Sequence, residues 1–251
     1  MPDVTPRLDP QTKWRLHSAA AEFFFLLNKG YPRTASLALA GNRHDLDASE
    51  RMLLSRGIFS QKEALARHAK RRLPPGWRRE LLAVDGHNVQ ITIESRLYGK
   101  PLLKANDGAL RDIAGLSSRY RMTETSVTAI DMVVAFLKLF PPREVLFLFD
   151  APMSRSGELA AFYRARLAEA GIPGKAETSR VPESEFPYHR CVAASSDRAV
   201  LDSALRWTDL ACLVIDYFGP PELAVDFSGL LLARSVKSCP LEANPIFSSL
   251  P

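Results

Sequence analysis

Cysteine is scarce in this chain: three in 251 residues, Cys191, Cys212 and Cys239, all far apart. With no C-x-x-C pair, nothing suggests a structural zinc site, and the usage fits a reducing compartment. No apolar run approaches the roughly 20 residues a membrane helix needs. The start, MPDVTPRLDP, has no signal-peptide pattern. A cytoplasmic protein without a membrane partner is therefore expected. There is no Walker A loop and no G-x-G-x-x-G, so nucleotide and dinucleotide binding have no motif behind them. The five histidines, His17, His44, His68, His87 and His189, show neither H-x-x-H nor H-E-x-x-H spacing. No Ser or Cys stands in a recognisable nucleophile elbow.

What is present is ordinary in amount and uneven in placement. Apolar residues make up 46% of the chain and charged residues 24%, enough for a normal core without disulfides. Residues 1–80 hold 15 Lys and Arg against 8 Asp and Glu, while the remainder holds 18 against 20. A basic first part on a slightly acidic remainder suggests an anionic partner for that first part. A solvated basic surface would read the same way.

The first part reads as helical. Trp14 to Asn28 is a helix whose run Ala19–Leu27 is too continuously apolar for a surface, and residues 1–12 read as a frayed end. Thr34 to Ala40, Glu50 to Arg56 and Ala64 to Arg72 follow as short helices. The last two begin at Asp47-x-x-Glu50 and Ser60-x-x-Glu63, capping boxes in which a side chain and a backbone N–H satisfy each other reciprocally. Arg67, His68, Lys70, Arg71, Arg72, Arg78 and Arg79 form a basic cluster leading to the next segment. Cations beside an acidic site are what a phosphodiester requires. They equally suit the last-turn carbonyls of a helix.

From Leu81 the pattern changes to alternating strands and helices, the signature of a parallel sheet. Leu81–Val84 is a short apolar strand ending at Asp85-Gly86, with Asn88 adding a neutral oxygen. Val89–Glu94 reads as a short strand extension or a first helical turn. A helix is expected over Ala109–Leu116, with Asp107 and Asp112 near it, and another over Ser126–Phe140. Glu144–Phe149 is the clearest strand and ends at Asp150. Ser154-Arg155-Ser156-Gly157 then opens a helix as an anion pocket or a plain Ser cap. Lys175–Val181, Arg190–Ala194 and Leu210–Ile215 read as further strands, the last two leading to Asp197 and Asp216. The organisation expected is a basic helical domain over residues 1–76, an α/β domain over 77–218, and a tail over 219–251 without an assigned role.

Ligands in open α/β sheets bind beyond the carboxyl ends of strands. Asp85, Asp150 and Asp197 would meet there, and clustered carboxylates call for a cation among them. Oxygen donors favour Mg²⁺ or Mn²⁺, which activates water and neutralises a phosphodiester transition state. The alternative for Asp85 is a helix cap.

Val84-Asp85-Gly86-His87-Asn88-Val89 resembles the V-D-G-x-N first-strand motif of PIN-like and NYN-type nucleases. Leu148-Phe149-Asp150 resembles their second-strand acid, and Ala194-Ser195-Ser196-Asp197 their later T/S-x-D position. The stretches GHNVQITIES, NDGALRDIAG and SSDRAVLD also resemble domain-of-unknown-function family 434, as do Tyr31-Pro32-Arg33 and Arg56-Gly57-Ile58-Phe59-Ser60. The resemblance implies a PIN-like three-layer α/β/α domain with a mostly parallel five-stranded sheet, preceded by the small helical domain. The PIN acid on a central helix has no unambiguous match; Asp107, Asp112 and Asp131 compete for it.

The expectation is a divalent-metal-dependent nuclease acting on RNA. Asp85, Asp150 and Asp197 are its metal and catalytic residues, with Asn88, Asp107 and Asp112 in an outer shell. Ser154, Arg155, Ser156, Arg71, Arg72, Arg78 and Arg79 contact phosphate. The rivals are a non-catalytic nucleic-acid-binding protein with a degenerate site and, more weakly, a small-substrate phosphohydrolase.

Overall fold

The computed structural model describes residues 9–113, 121–181, 185–219 and 223–231. Four helices come first: α1 (Pro10–Asn28), α2 (Arg33–Arg43), α3 (Ala48–Gly57) and α4 (Gln61–Lys70). Helix α1 begins four residues before Trp14 because Asp9 accepts from the Gln11 and Thr12 amides and Pro10 suits a first helical position. Both capping boxes form, Asp47 with Glu50 and Ser60 with Glu63. The apolar run of α1 is only half buried. Leu16, Ala19, Ala20 and Phe23 are in the core, while Phe25 is 57% exposed.

A five-stranded, all-parallel sheet follows, in the order β5-β4-β1-β6-β7. Its strands are β1 (Leu81–Asp85), β4 (Glu144–Asp150), β5 (Gly174–Ser179), β6 (Cys191–Ala194) and β7 (Trp207–Thr208). Alternation along the strands divides the side chains between two cores. Leu82, Val84, Val145, Phe147, Phe149 and Val192 pack with helices α5 (Gly86–Leu97), α6 (Glu124–Leu139), α7 (Ser156–Glu169) and α9 (Leu210–Phe218). Ala83, Leu148, Cys191 and Ala193 pack on the other face with α8 (Arg198–Ser203), Phe186 and Trp207.

Two segments differ from their sequence reading, and at a third the helical alternative is the one that forms. Val89–Glu94 lies inside α5, because Asp85 caps a helix there. Leu210–Ile215 is the helix α9 and not a fifth strand, so Asp216 ends no strand; the fifth strand is the two-residue β7. A short, wholly apolar run has no period to separate a buried helix from a buried strand, and here the Asp209 carboxylate accepting from Cys212 N starts the helix. Ala109–Asp112 is not helical. Leu110–Asp112 is β3, antiparallel to β2 (Leu102–Lys104), and residues 114–120 lie outside the described residues.

Strand β2 also pairs in parallel with β8 (Leu223–Asp226), which makes a second sheet of order β3-β2-β8. Part of the tail thus has a structural role. Leu103, Ile113, Ala224, Val225 and Phe227 share one core with Leu16, Phe23, Leu53, Leu54 and Ile58 of the helical region. That shared core fixes the helices beside the main sheet. The rest of the tail, 220–222 and 232–251, lies outside the described residues and includes Cys239. Among the described residues no helix is long and apolar enough to cross a membrane.

Candidate functional site

Strand β1 is central, with β4 and β6 on either side, so Asp85, Asp150 and Asp197 all stand at the carboxyl edge of three neighbouring strands. Asp85 both ends β1 and caps α5. Its Oδ1 accepts from Asn88 N at 3.3 Å and its Oδ2 from Ser195 Oγ at 2.9 Å. Ser195 Oγ in turn accepts from Asp197 N at 2.9 Å. Asn88 Oδ1 accepts from Ser196 N at 2.8 Å and from Ser196 Oγ at 3.1 Å. The V-D-G-x-N segment is therefore tied to Ser195-Ser196-Asp197 by side-chain bonds across β1 and β6. Asp197 is exposed and caps α8 through Ala199 N at 2.7 Å.

Gly86 serves this edge through space, not through an unusual turn. A Cβ there would lie 2.3 Å from the Phe149 ring, which is fully buried and cannot yield. Next to it, His87 Nδ1 accepts from Asp150 N at 3.0 Å, which puts the proton of the neutral ring on Nε2. Burial lowers the His87 pKa to about 4. The unfolded chain therefore binds the extra proton first, and stability is lost as pH falls from about 6.5 towards 4. We expect unfolding free energy to drop between pH 7 and pH 5 by up to about 1.4 kcal/mol per unit, and His87→Gln to flatten that slope. Denaturant titrations showing the same stability for wild type at both pH values would refute this.

The outer-shell acids have structural partners. Asp107 is fully buried between two guanidiniums. It receives Arg111 Nη1 and Nη2 at 2.9 and 2.8 Å and Arg67 Nη1 at 2.7 Å. Burial opposes its ionisation, but Arg111 and Arg67 outweigh that and hold the carboxyl below its ordinary range. Arg111 then donates from Nε to Ser196 O at 2.9 Å, linking this ion cluster to the site loop. Asp112 sits on β3 and accepts from Ser95 Oγ at 2.6 Å.

The expected phosphate contacts mostly stand elsewhere. Arg78 and Arg79 precede β1, so a strand of roughly 16–20 Å separates them from Asp85. The Arg71 guanidinium lies over the Trp207 ring, and Arg72 N donates to Trp207 O at 2.7 Å along the β7 edge. Ser156 is buried at the start of α7, and Arg155 holds the cap position with φ 61° and no side-chain capping bond. Arg155 reaches Glu158 at 3.3 Å, Ser154 is exposed, and neither borders the cavity described next.

That cavity, of about 410 Å³, opens between the helical region and the sheet edge. Arg33, Arg56, Arg111 and Arg198 line it, together with Asn88, Ser196 and Asp197. Asp85 and Asp150 do not border it. Phe59 forms part of the wall, with Arg33, Arg67 and Arg111 at 5.0, 4.1 and 5.0 Å from its ring centre. Arg33 donates to Ile58 O at 2.9 Å and to Ser55 O. Burial, and then the neighbouring Arg198, Arg67 and Arg111, bring the Arg33 pKa down to about 10. Burial also lowers Arg56, which has no hydrogen bond or ion pair among the described residues. Lone arginines in Tyr31-Pro32-Arg33 and Arg56-Gly57 carry no local pattern that would mark them as facing Asp197.

The donors at this edge, carboxylates and the Asn88 amide, are the hard oxygens Mg²⁺ or Mn²⁺ prefers. Their arrangement does not suit such an ion. Among the described residues no three His, Cys, Asp or Glu side chains are grouped to hold a metal. Both oxygens of Asp85 are engaged, and Asp197 serves as a cap.

Fold and site together define a parallel α/β protein with an arginine-lined cavity at its carboxyl edge, built jointly with an N-terminal helical region. Over residues 76–212 the chain belongs to the family described as Domain of unknown function (DUF5616). Residues 15–70 match the family described as Protein of unknown function (DUF434). The chain is 26% identical over 203 residues to "Uncharacterized protein MJ0935" of Methanocaldococcus jannaschii, spanning 80% of this chain and 97% of that protein. No solved structure matches it.

Proposed function

We propose that this protein acts on nucleic acid, RNA in the first instance, by holding its phosphate in the arginine-lined cavity. One observation carries the reading: of the arginines facing the recess, Arg111 is paired with Asp107 and Arg198 with Glu63 and Asp202, while Arg33 and Arg56 have no ion pair among the described residues, and Asp197 is the carboxylate on the wall. Cations crowded together in a half-buried space repel one another, and an anion relieves that repulsion. Guanidinium forks match phosphate oxygens in pairs, so the residue type suits the ligand. The place, beyond the carboxyl ends of parallel strands, is where such folds bind ligands.

Replacing both Arg56 and Arg198 with Gln is expected to weaken binding of a single-stranded RNA roughly tenfold or more. It should also lower the slope of log affinity against log salt by about 0.7 per lost phosphate contact. Fluorescence anisotropy across a salt series measures both. Unchanged affinity at low salt would remove the cavity from the binding surface.

A second reading is metal-dependent hydrolysis of the RNA, a PIN-like nuclease. It is favoured by Asp85, Asp150 and Asp197 following three neighbouring strands, whose axes are about 4.8 Å apart. Mg²⁺ or Mn²⁺ would need these carboxylates closer together than they stand, since among the described residues no three His, Cys, Asp or Glu side chains are grouped to hold a metal.

A further inference from the structure

We propose that the cavity takes a terminal phosphate monoester, the end of an RNA strand, in preference to an internal diester; this rests on the reading that nucleic acid is the ligand. Charge is the first argument. Arg111 is paired with Asp107 and Arg198 with Glu63 and Asp202, so among the described residues Arg33 and Arg56 are the lining guanidiniums left without an ion pair, with Asp197 as the one lining carboxylate. An internal linkage brings one negative charge, whereas a phosphate monoester brings about −1.5 to −2 at neutral pH and three acceptor oxygens.

Unused donors are the second argument. Arg33 Nη1 is buried without a hydrogen-bond partner, and Arg56 has no partner among the described residues. Asn88 spends its amide oxygen on Ser196, and its amide nitrogen donates to nothing among the described residues. These three donors come from α2, α3 and α5, that is, from different walls of one recess. An internal phosphate has two bridging ester oxygens and two free ones; a terminal phosphate has three free, which suits donors converging from several sides.

Shape is the third. A volume near 410 Å³ lies at the lower end of small-ligand clefts, about 300–1,000 Å³. Proteins that track single strands present a basic groove several nucleotides long with stacked aromatic rings. Among the described residues the one lining aromatic is Phe59, which is 2% exposed and covered by guanidiniums, so it offers no face for a base.

One single-stranded RNA made with a 5′-phosphate, with a 3′-phosphate, or with hydroxyls at both ends tests this. Anisotropy in EDTA at pH 7.5 should show one phosphorylated form binding at least tenfold more tightly than the hydroxyl form. That preference should shrink towards pH 5.5, as the monoester takes up its second proton (pKa about 6). Arg56→Gln should abolish the preference, with an unchanged melting temperature showing that the fold persists. A nucleoside monophosphate should compete better than inorganic phosphate. Equal binding of all three RNAs would overturn the end preference and leave the nucleic-acid reading standing. Competition by inorganic phosphate as strong as by the nucleotide would replace a strand end with free phosphate as the ligand. Binding of none of the RNAs would overturn both readings.

Discussion

Replacing Asp107 with Asn is expected to destabilise the protein by about 3–5 kcal/mol, the usual cost of removing one partner from a buried ion cluster. The change keeps the shape of the side chain and deletes its charge. Arg111 then loses the carboxylate that holds both ends of its guanidinium, and among the described residues Arg67 keeps Asp202, at 2.7 Å, as its one carboxylate. Neither arginine can retreat to water, since both are buried. The same carboxylate sets an acid limit. Its folded pKa is depressed, so its contribution is complete above the unfolded value of about 3.9 and is lost as pH falls through the lower folded value. Urea unfolding at neutral pH measures the main effect, and a loss below 1 kcal/mol would contradict it. RNA affinity should fall as well, because Arg111 fastens the Ser196 carbonyl at the cavity edge. Asp107 is in this sense a positioning residue for the site, not a ligand within it.

The second large effect is expected at Asp85. Asp85→Asn keeps an acceptor for Ser195 Oγ and a cap for α5, and Asn caps nearly as well as Asp. Fold and RNA binding in EDTA should therefore persist, with affinity equal or slightly higher because a negative charge near phosphate is gone. Under the hydrolytic reading, cleavage in Mn²⁺ should fall by about 10²–10³-fold, the scale set by removing a preorganised charge from an active site. The wild type should also melt at a higher temperature with Mn²⁺ than with EDTA, as mass action requires of an ion that binds the folded state. Wild type and variant belong side by side in both assays. RNA that is bound and never cut, with no melting shift from metal, would retire hydrolysis and keep the binding reading.

Much of the fold could be read from local signals. Capping boxes at Asp47 and Ser60 mark where α3 and α4 start, because each pairs a side chain with a backbone group three residues away. Glu144–Phe149 and Leu81–Val84 are strands by apolar run and flanking residues, and the all-parallel sheet follows from alternation with helices. Placing Asp85, Asp150 and Asp197 at one edge needed only that topology.

What the chain order could not supply was contact between distant segments. Leu210–Ile215 is apolar throughout, so periodicity is silent, and the Asp209 cap decides for helix. Asp107 has an acid's sequence and a structural occupation, since Arg67 lies 40 residues away and meets it only after folding. Arg78 and Arg79 are close to Asp85 in sequence but at the other end of a strand, because an extended segment converts neighbours into opposite edges. Arg33 and Arg56 are far from Asp197 in sequence and face it across one cavity. They do so because Leu16, Phe23, Leu53 and Leu54 bury themselves against β2 and β8, and β8 comes from the far end of the described chain. Composition and caps determine which elements form. The shared core of first and last segments decides which charges meet, since apolar burial is non-directional and is resolved only when every face has a partner.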